Sequence, residues 1–393
     1  MRAERSKLRV LLLDGHTRQV LPMAEALRQS GHWVEVVCHS RFDMGYVSRW
    51  PQRRWLAPDP KLEPEAFAGE VESILRQGGI DVVIPLFDYG AETAARCKPE
   101  WSRYSRVAVN DWPVFQLARN KLQTMRFCMH HDIPCPRTVL DEEPTTLDHL
   151  TFPVVVKPQR GVSAAGFHRV DRVEDLPAII DSTRIAHGPV LVQEYIPQTD
   201  LQYKAEVFMD TEGTVKAAVV FSKVRWHPVA GGSSTLNITV SRPDIIETCV
   251  RMLRAMGWIG YADVDLIQDP RDNVAKVMEV NPRITGSVKI AFAAGVDFAE
   301  MVVRQAMGWQ IDSCLDYQAG QYLRYFYKDI LWFLSSPDRW QAQPSWFRFF
   351  AGDTVDQIFS LRDPMPSVTH GGRSLLQMLR YLLKPSSHGT AAK

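Results

Sequence analysis

A chain of 393 residues is too long for one ordinary domain, so two or three modules with ample core between them are expected. Hydrophobic residues make up 45% of it and charged residues 23%, with a formal net charge of +1, which excludes a disordered chain and any global attraction to nucleic acid or an anionic membrane. A site for a polyanion must therefore be local. Six scattered cysteines without CxxC spacing fit reduced thiols in a cytosolic protein better than a disulfide framework. The early run VLLLDG is short, meets Asp14 at once and lacks a small-residue cleavage site, so it reads as a first strand rather than a signal peptide. No uninterrupted apolar stretch approaches the roughly 20 residues that span a bilayer.

Residues 8 to 13 form that strand, LPMAEALRQSG has helical periodicity closed by Gly31, and WVEVVCHS gives the next strand. A helix near 64 to 77 precedes the strand IDVVIPLF, which runs into DYGAET at a strand-to-helix junction. Continuous rather than alternating strands joined by helices imply a parallel sheet covered on both faces. The first 111 residues thus read as a small doubly wound α/β domain. Its first turn offers only Gly15 and no GxGxxG, which weighs against an NAD-dependent oxidoreductase.

From residue 112 the character changes, and a helix containing RNKLQTMRFCMHH ends in the extended exit DIPCPRT. FPVVVKPQRGVSAAGFHRV reads as strand, flexible turn and strand, and PVLVQEYIPQTDLQYKAEVFM as two strands with a short crossing segment. Residues 214 to 240 give a further strand, the loop VAGGSST and another strand, ahead of a helix near 243 to 256. CMHHDIPC brings two cysteines and two histidines together, but it spans a helix end without a second cluster and reads as packing rather than a zinc site.

The stretch GYADVDLIQDPRDNVAKVMEVNPRITGS holds the most chemistry. DPRDN is a turn signal between two strand-like runs, and a hairpin centred on Asp272 sets Asp265 opposite Glu279 and Asp263 opposite Asn281. One sheet face then carries four oxygen-bearing side chains, an arrangement that suits Mg²⁺ held by one or two carboxylates plus substrate phosphates. Arg283, two residues beyond Asn281 and on the same face, adds a fork suited to a further anion. The bland alternative is a solvated strand face with a surface arginine.

A bound polyphosphate needs further cations. Lys157 ends the apolar strand VVVKP, and the small residues that follow, Gly161 and Ser163 among them, suit a lid whose amides approach phosphate. Lys121 is a second candidate, against the alternative of an ordinary helix-surface charge. QEYIP, with Gln193, Glu194, Tyr195 and Ile196, ends a strand in an acid and a break, where backbone groups can recognise an adenine edge, and Asp200 or Gln202 can reach ribose hydroxyls. Lys223, Arg225 and His227 alternate before a Gly-Gly loop and would form a cationic face for a carboxylate, with His227 a conceivable base for an incoming amine.

Together, in this order, these elements resemble the ATP-grasp superfamily, nearest its carbamoyl-phosphate-synthetase-like and D-aspartate-ligase-like members. The resemblance runs to about residue 310 and is most specific in GYADVDL and VMEVNPRITGS. It implies Asp265, Glu279 and Asn281 as ligands of two Mg²⁺ ions, Lys121 and Lys157 as the nucleotide-phosphate cations, and Glu194 to Ile196 as the adenine hinge. Arg283 would steady the transferred phosphoryl group and Arg225 the carboxylate to be activated. The implied fold is a pre-ATP-grasp domain over 1–111 and a two-lobed ATP-grasp domain over 112–315, with its lid lobe at about 150–192. An aromatic and basic C-terminal extension over 316–393, helical or irregular, would follow.

The implied activity is ATP-dependent carboxylate-amine ligation through an acylphosphate; a nucleotide-binding regulatory module without turnover is the rival. The expected partners are small carboxylate and amine substrates, not nucleic acid, and a homodimer is compatible with the reading. The stripes YLRYFYKDILWFL and SLLQMLRYLLKPSS are read first as packing helices and second as a peripheral contact with the inner face of a membrane.

Overall fold

The computed structural model describes residues 7–139, 150–160, 166–197, 201–229, 232–349 and 351–372. The first of its three sheets is wholly parallel, with strands β1 (Arg9–Leu12), β2 (Trp33–Cys38), β3 (Arg53–Leu56), β4 (Val82–Ile84) and β5 (Arg106–Val107) in the order 3-2-1-4-5. Apolar runs such as RVLL and VVI are buried on both faces because helices cover both sides. The strand order reverses between β1 and β4, and the carboxyl ends of such a strand pair open a crevice. Asp14, just past β1, closes its floor by accepting the amides of Leu86 and Phe87 beyond β4 at 3.1 and 2.9 Å.

A four-stranded antiparallel sheet has the order β6-β9-β7-β8, from β6 (Thr138–Val139), β7 (Val154–Pro158), β8 (His168–Val170) and β9 (Val190–Glu194). Val154, Val156, Val190 and Val192 pack one of its faces against the helix Leu176–His187. Strict alternation then sends Lys157 to the opposite face.

The largest sheet has seven strands in the order 14-13-10-11-12-15-16. These are β10 (Gln202–Met209), β11 (Val215–His227), β12 (Ser233–Thr239), β13 (Gly260–Gln268), β14 (Ala275–Asn281), β15 (Tyr322–Arg324) and β16 (Thr354–Asp356). All its neighbours are antiparallel except β15 and β16. The C-terminal region, expected to be helical or irregular, therefore contributes two strands to this sheet as well as the helix Phe326–Ser335. A short strand that pairs with an existing edge needs no long alternating run, so neither was legible beforehand. SLLQMLRYLLKPSS lies outside the described residues. Among the described residues no helix is long and apolar enough to cross a membrane.

The parallel sheet and the seven-stranded sheet share a core. Phe208, Val219 and Tyr261 from the seven-stranded sheet and Phe298 and Val302 from the helix Phe298–Met307 join one apolar cluster with Val10, Leu12, Met23 and Leu27. Phe298 sits edge-on to Tyr261 at 5.1 Å between ring centroids. Its truncation would open a cavity in this shared core. Phe298→Ala is expected to lower the unfolding free energy by about 3–5 kcal/mol, seen as a lower urea midpoint. A loss under about 1 kcal/mol would show that the two sheets do not depend on this contact.

Candidate functional site

β13 and β14 pair as a ribbon with Asp263 opposite Asn281 and Asp265 opposite Glu279, the register expected from the turn. Beyond Asp265 the ladder shifts by one residue, so Leu266 faces Val277 and the bulge falls at Met278. Ala262, Val264, Leu266 and Val280 turn to the core beneath, packed on the helix Pro243–Ala255, which leaves the acids on the other face. The neighbouring strand continues the polar stripe: Lys204 stands opposite Asp265 and Glu206 opposite Asp263. Neither residue was singled out in the sequence, although Lys204 and Glu206 share the two-residue spacing that marked Asp263 and Asp265.

Lysines hold these carboxylates in place. Lys204 Nζ lies 2.5 Å from Asp263 and 3.4 Å from Asp265, and Lys223 Nζ lies 2.9 Å from Asp265 Oδ1. Asn281 Nδ2 donates to Asp265 Oδ2 at 3.0 Å. Burial works against the Asp265 anion, but Lys204 and Lys223 outweigh it and hold its carboxyl well below the usual range. Burial pushes Asp263 and Glu206 the other way, upward. Each of these two keeps one buried oxygen without a hydrogen-bond partner, Asp263 Oδ1 and Glu206 Oε2.

The helix beside β14 and the four-stranded sheet supply further cations. Lys121 opens the helix Lys121–His130, whose first turn is capped by Asn120 Oδ1 accepting from the amides of Leu122 and Gln123. The Lys121 amide donates to the Gln159 carbonyl at 3.0 Å, tying the helix start to the end of β7. Its ammonium then lies 3.0 Å from Glu279 Oε2. Lys157 is only 9% exposed, and burial followed by the nearby Lys121 charge pushes it down to about 8, against an upward pull from Glu279. Two lysines and one carboxylate from three chain segments thus meet across the cleft between the sheets.

The other expected contacts divide. Glu194 ends β9 with Oε2 accepting the Arg137 amide at 3.1 Å and Oε1 bonded to Arg271. Ile196 is buried and Tyr195 lies under the Arg169 guanidinium at 4.6 Å. Gln193 is corrected: its side chain is 1% exposed and donates to Thr138 Oγ1 at 2.7 Å, so it braces β6. Gly161, Ser163 and Asp200 lie outside the described residues.

The expected cationic face of Lys223, Arg225 and His227 does not form. The β11–β12 ladder shifts between Lys223 and Arg225 and again before Trp226, and each shift re-aims the side chains that follow. Lys223 turns to Asp265, whereas Arg225 reaches Asp329 at 3.3 Å, bonds the Pro344 carbonyl and lies over the Trp332 ring. Asp329 is fully buried and also takes Arg324 and Thr235 at 2.7 Å each. Arg225 therefore anchors the C-terminal segment, in place of the role of binding a carboxylate substrate.

Arg283 leaves the ribbon and enters the crevice of the parallel sheet. Its Nη2 lies 2.7 Å from Asp88 Oδ2, at the start of the helix Asp88–Arg96, and its guanidinium faces the Phe87 ring at 5.3 Å. Arg119 stands 3.9 Å from the same carboxylate. Asp88 was visible only as part of DYGAET, because pairing it with Arg283 requires the tertiary fold.

Residues 118–287 match the family model for the ATP-grasp domain. This segment is an ATP-grasp domain. The chain is 26% identical over 243 residues to D-aspartate ligase of Enterococcus faecium, covering 56% of this chain and 57% of that protein. It is 28% identical over 216 residues to D-alanine–D-alanine ligase of Carboxydothermus hydrogenoformans, covering 49% and 69%. The chain thus spans under two-thirds of the length of the D-aspartate ligase.

Among solved structures, a biotin carboxylase complex from Campylobacter jejuni superposes with a TM-score of 0.69 at 14% identity, over 81% of this chain and 75% of that one. An L-amino acid ligase from Bacillus licheniformis gives 0.59 at 19%, over 77% and 75%. These two likenesses concern the fold.

Within the ATP-grasp domain the donor set is chemically coherent. Asp265, Glu279 and the Asn281 carbonyl offer hard oxygens for a divalent cation, and Lys121 and Lys157 offer charge to a polyanion. Lys157 also makes the domain's stability sensitive to pH. The unfolded chain keeps the lysine proton to about 10.5 and the folded chain only to about 8, so unfolding takes up a proton between these values and stability rises with pH across that window. Lys157→Met is expected to be more stable than the parent near pH 7 by roughly 3 kcal/mol, with the advantage fading as pH climbs towards 10. Denaturant titrations at several pH values check this, and a gap independent of pH would contradict it.

Proposed function

We propose that the chain is an ATP-dependent carboxylate-amine ligase using Mg²⁺. The observation that carries this reading is the meeting of Asp265, Glu279 and Asn281 with Lys121 and Lys157 across one cleft, beside the Arg283–Asp88 pair. The names of the matched relatives, D-aspartate ligase and D-alanine–D-alanine ligase, support the same chemistry.

Asp265, Glu279 and Asn281 would hold Mg²⁺, and the bound ion would supply charge neutralisation at the transferred phosphoryl group. Lys121 and Lys157 contact phosphate oxygens, and on nucleotide binding Lys121 exchanges Glu279 for phosphate. The hinge from Glu194 to Ile196 receives the adenine through its backbone. A carboxylate oxygen of the substrate attacks the γ-phosphorus and ADP leaves. The amine nitrogen then attacks the acyl carbon of the acylphosphate, phosphate departs, and the nitrogen loses its proton. Arg283, pinned by Asp88, is placed to steady the oxyanion charge that develops, and it meets the substrates where the parallel-sheet crevice opens onto the domain.

A nucleotide-binding regulatory module is the second reading. Arg283 argues against it, because a sensor of ATP has no need for a buried guanidinium beyond the phosphate cations. The finer expectations are a pathway of surface polysaccharide or amino-acid conjugate synthesis, a cytoplasmic location with contact at the inner face of a membrane, and a homodimer. The membrane contact draws support from the aromatic group of Phe333, Trp340, Trp346 and Phe347 in the C-terminal region, where Trp340 is 70% exposed.

Incubation of the full chain with Mg-ATP and pools of amino acids, uronic acids and amino sugars is expected to release ADP only when an acid and an amine are both present. Glu279→Gln should slow that release by about 100-fold or more. Because Arg283→Ala would strand the buried Asp88 charge and destabilise the fold, Arg283→Lys is the cleaner companion variant, expected to bind ATP and lose turnover. ATP binding with no stimulation of ADP release by any acid and amine pair would favour the regulatory module.

A further inference from the structure

The loops that leave β1 and β2 bring together three side chains that the ligase reading does not use. Asp14, His16 and His39 each present one ligand atom, all within 4.8 Å of one another. The two imidazole rings are 4.7 Å apart between centroids and tilted by 42°. Twelve buried side-chain atoms among the described residues have no hydrogen-bond partner, and three of them are Asp14 Oδ1, His16 Nδ1 and His39 Nε2. An unpaired buried polar atom costs about 1–3 kcal/mol, so three on neighbouring residues call for a shared partner.

The surroundings aim these atoms. Asp14 is 0% exposed, and its Oδ2 is occupied by the amides of Leu86 and Phe87, which leaves Oδ1 uncommitted. His39 Nδ1 lies 3.4 Å from the Ala57 carbonyl, an acceptor that sets the proton on Nδ1 and a lone pair on Nε2. The His39 and Ser40 amides both donate to Asp43 Oδ2, at 2.8 and 2.9 Å, and fix the second loop. The first loop is zipped to it by the Gly15 amide donating to the Val37 carbonyl and by the Gly45 amide donating to the Gly15 carbonyl. Gly15 admits no side chain here, since a Cβ would fall 2.4 Å from Cys38 Sγ. The backbone that carries the three residues is thus held independently of any ligand.

We propose that Asp14, His16 and His39 form a mononuclear site for a divalent first-row transition metal, Zn²⁺ foremost, with at least one coordination position open. Two imidazole nitrogens and one carboxylate oxygen suit such an ion, whereas Mg²⁺ takes oxygen ligands alone, so this site and the Asp265 and Glu279 ribbon select different metals. A tetrahedral ion with bonds of about 2.0–2.1 Å sets its ligand atoms about 3.3 Å apart, and the three ligand atoms here lie within 4.8 Å of one another. The ion joins the β1 and β2 loops beside the contact from Asp14 to the segment that carries Asp88. It therefore braces the crevice wall against which Arg283 is set. The inference stands on these three residues whether or not the chain is a ligase.

The test uses the full chain, stripped with a chelator and titrated with Zn²⁺ by calorimetry and with Co²⁺ by visible absorption. One equivalent is expected to bind and to raise the thermal midpoint. His16→Gln and His39→Gln, with folding checked by circular dichroism, should each weaken binding about tenfold or more and abolish the thermal shift. No saturable binding to the parent chain would overturn the proposal, as would stoichiometric binding that both variants retain. Should the variants not fold, the Co²⁺ spectrum of the parent decides: nitrogen and oxygen ligation upholds the site, and thiolate charge-transfer bands assign the metal to cysteines and overturn it.

Discussion

Asp265 and Glu279 face each other across two paired strands, and like charges so placed repel unless cations or solvent intervene. The lysines around the ribbon answer that constraint. Lys204 and Lys223 take Asp265 from β10 and β11, and Lys121 reaches Glu279 from the start of the helix Lys121–His130. Lys204 and Lys223 thus keep Asp265 ionised where burial works against its charge. A divalent ion carrying phosphates can replace part of this pairing, offering the carboxylates metal and the lysines phosphate in exchange. Under the proposed function the ribbon would thus be an exchange site, neutral enough to fold and charged enough to bind.

The second constraint is the placement of Arg283. A guanidinium buried between the ribbon and the parallel sheet requires a fixed anion, and Asp88 supplies it from the crevice where the strand order reverses. That pair is one tie between the first sheet and the ATP-grasp domain, and the common apolar cluster around Phe298 and Tyr261 holds the same junction from behind. Since small ligands enter α/β sheets at such reversals, the proposed function would have the crevice and the ribbon share one reaction volume. The open position proposed at Asp14, His16 and His39 lies along its wall.

Legibility in the sequence followed the range of the interactions. The parallel sheet, the ribbon and its register at Asp263 and Asp265 were readable because runs, alternation and a turn signal are local properties. The one-residue shift at Met278 left the reading intact only because it falls on the turn side of Asp265. The shifts around Arg225 lie inside the proposed cationic face, so alternation failed there and Arg225 proved to pair with Asp329, more than a hundred residues away. Gln193 shows the same limit, since its partner Thr138 sits on a strand brought alongside only by folding. Lys204 and Glu206 were within reach, for their spacing matches that of Asp263 and Asp265. Nothing local marked them as neighbours of the acids.

The account stands on the claim that the ribbon binds a divalent ion together with nucleotide phosphates. Electron paramagnetic resonance of Mn²⁺, with and without ATP, addresses this most directly. The chain is predicted to take up Mn²⁺ about tenfold or more tightly when ATP is present, because few protein ligands leave the rest of the ion's shell to phosphate. The Asp265→Asn chain should lose that gain. Equal Mn²⁺ uptake with and without ATP, or an undiminished gain in Asp265→Asn, would contradict it.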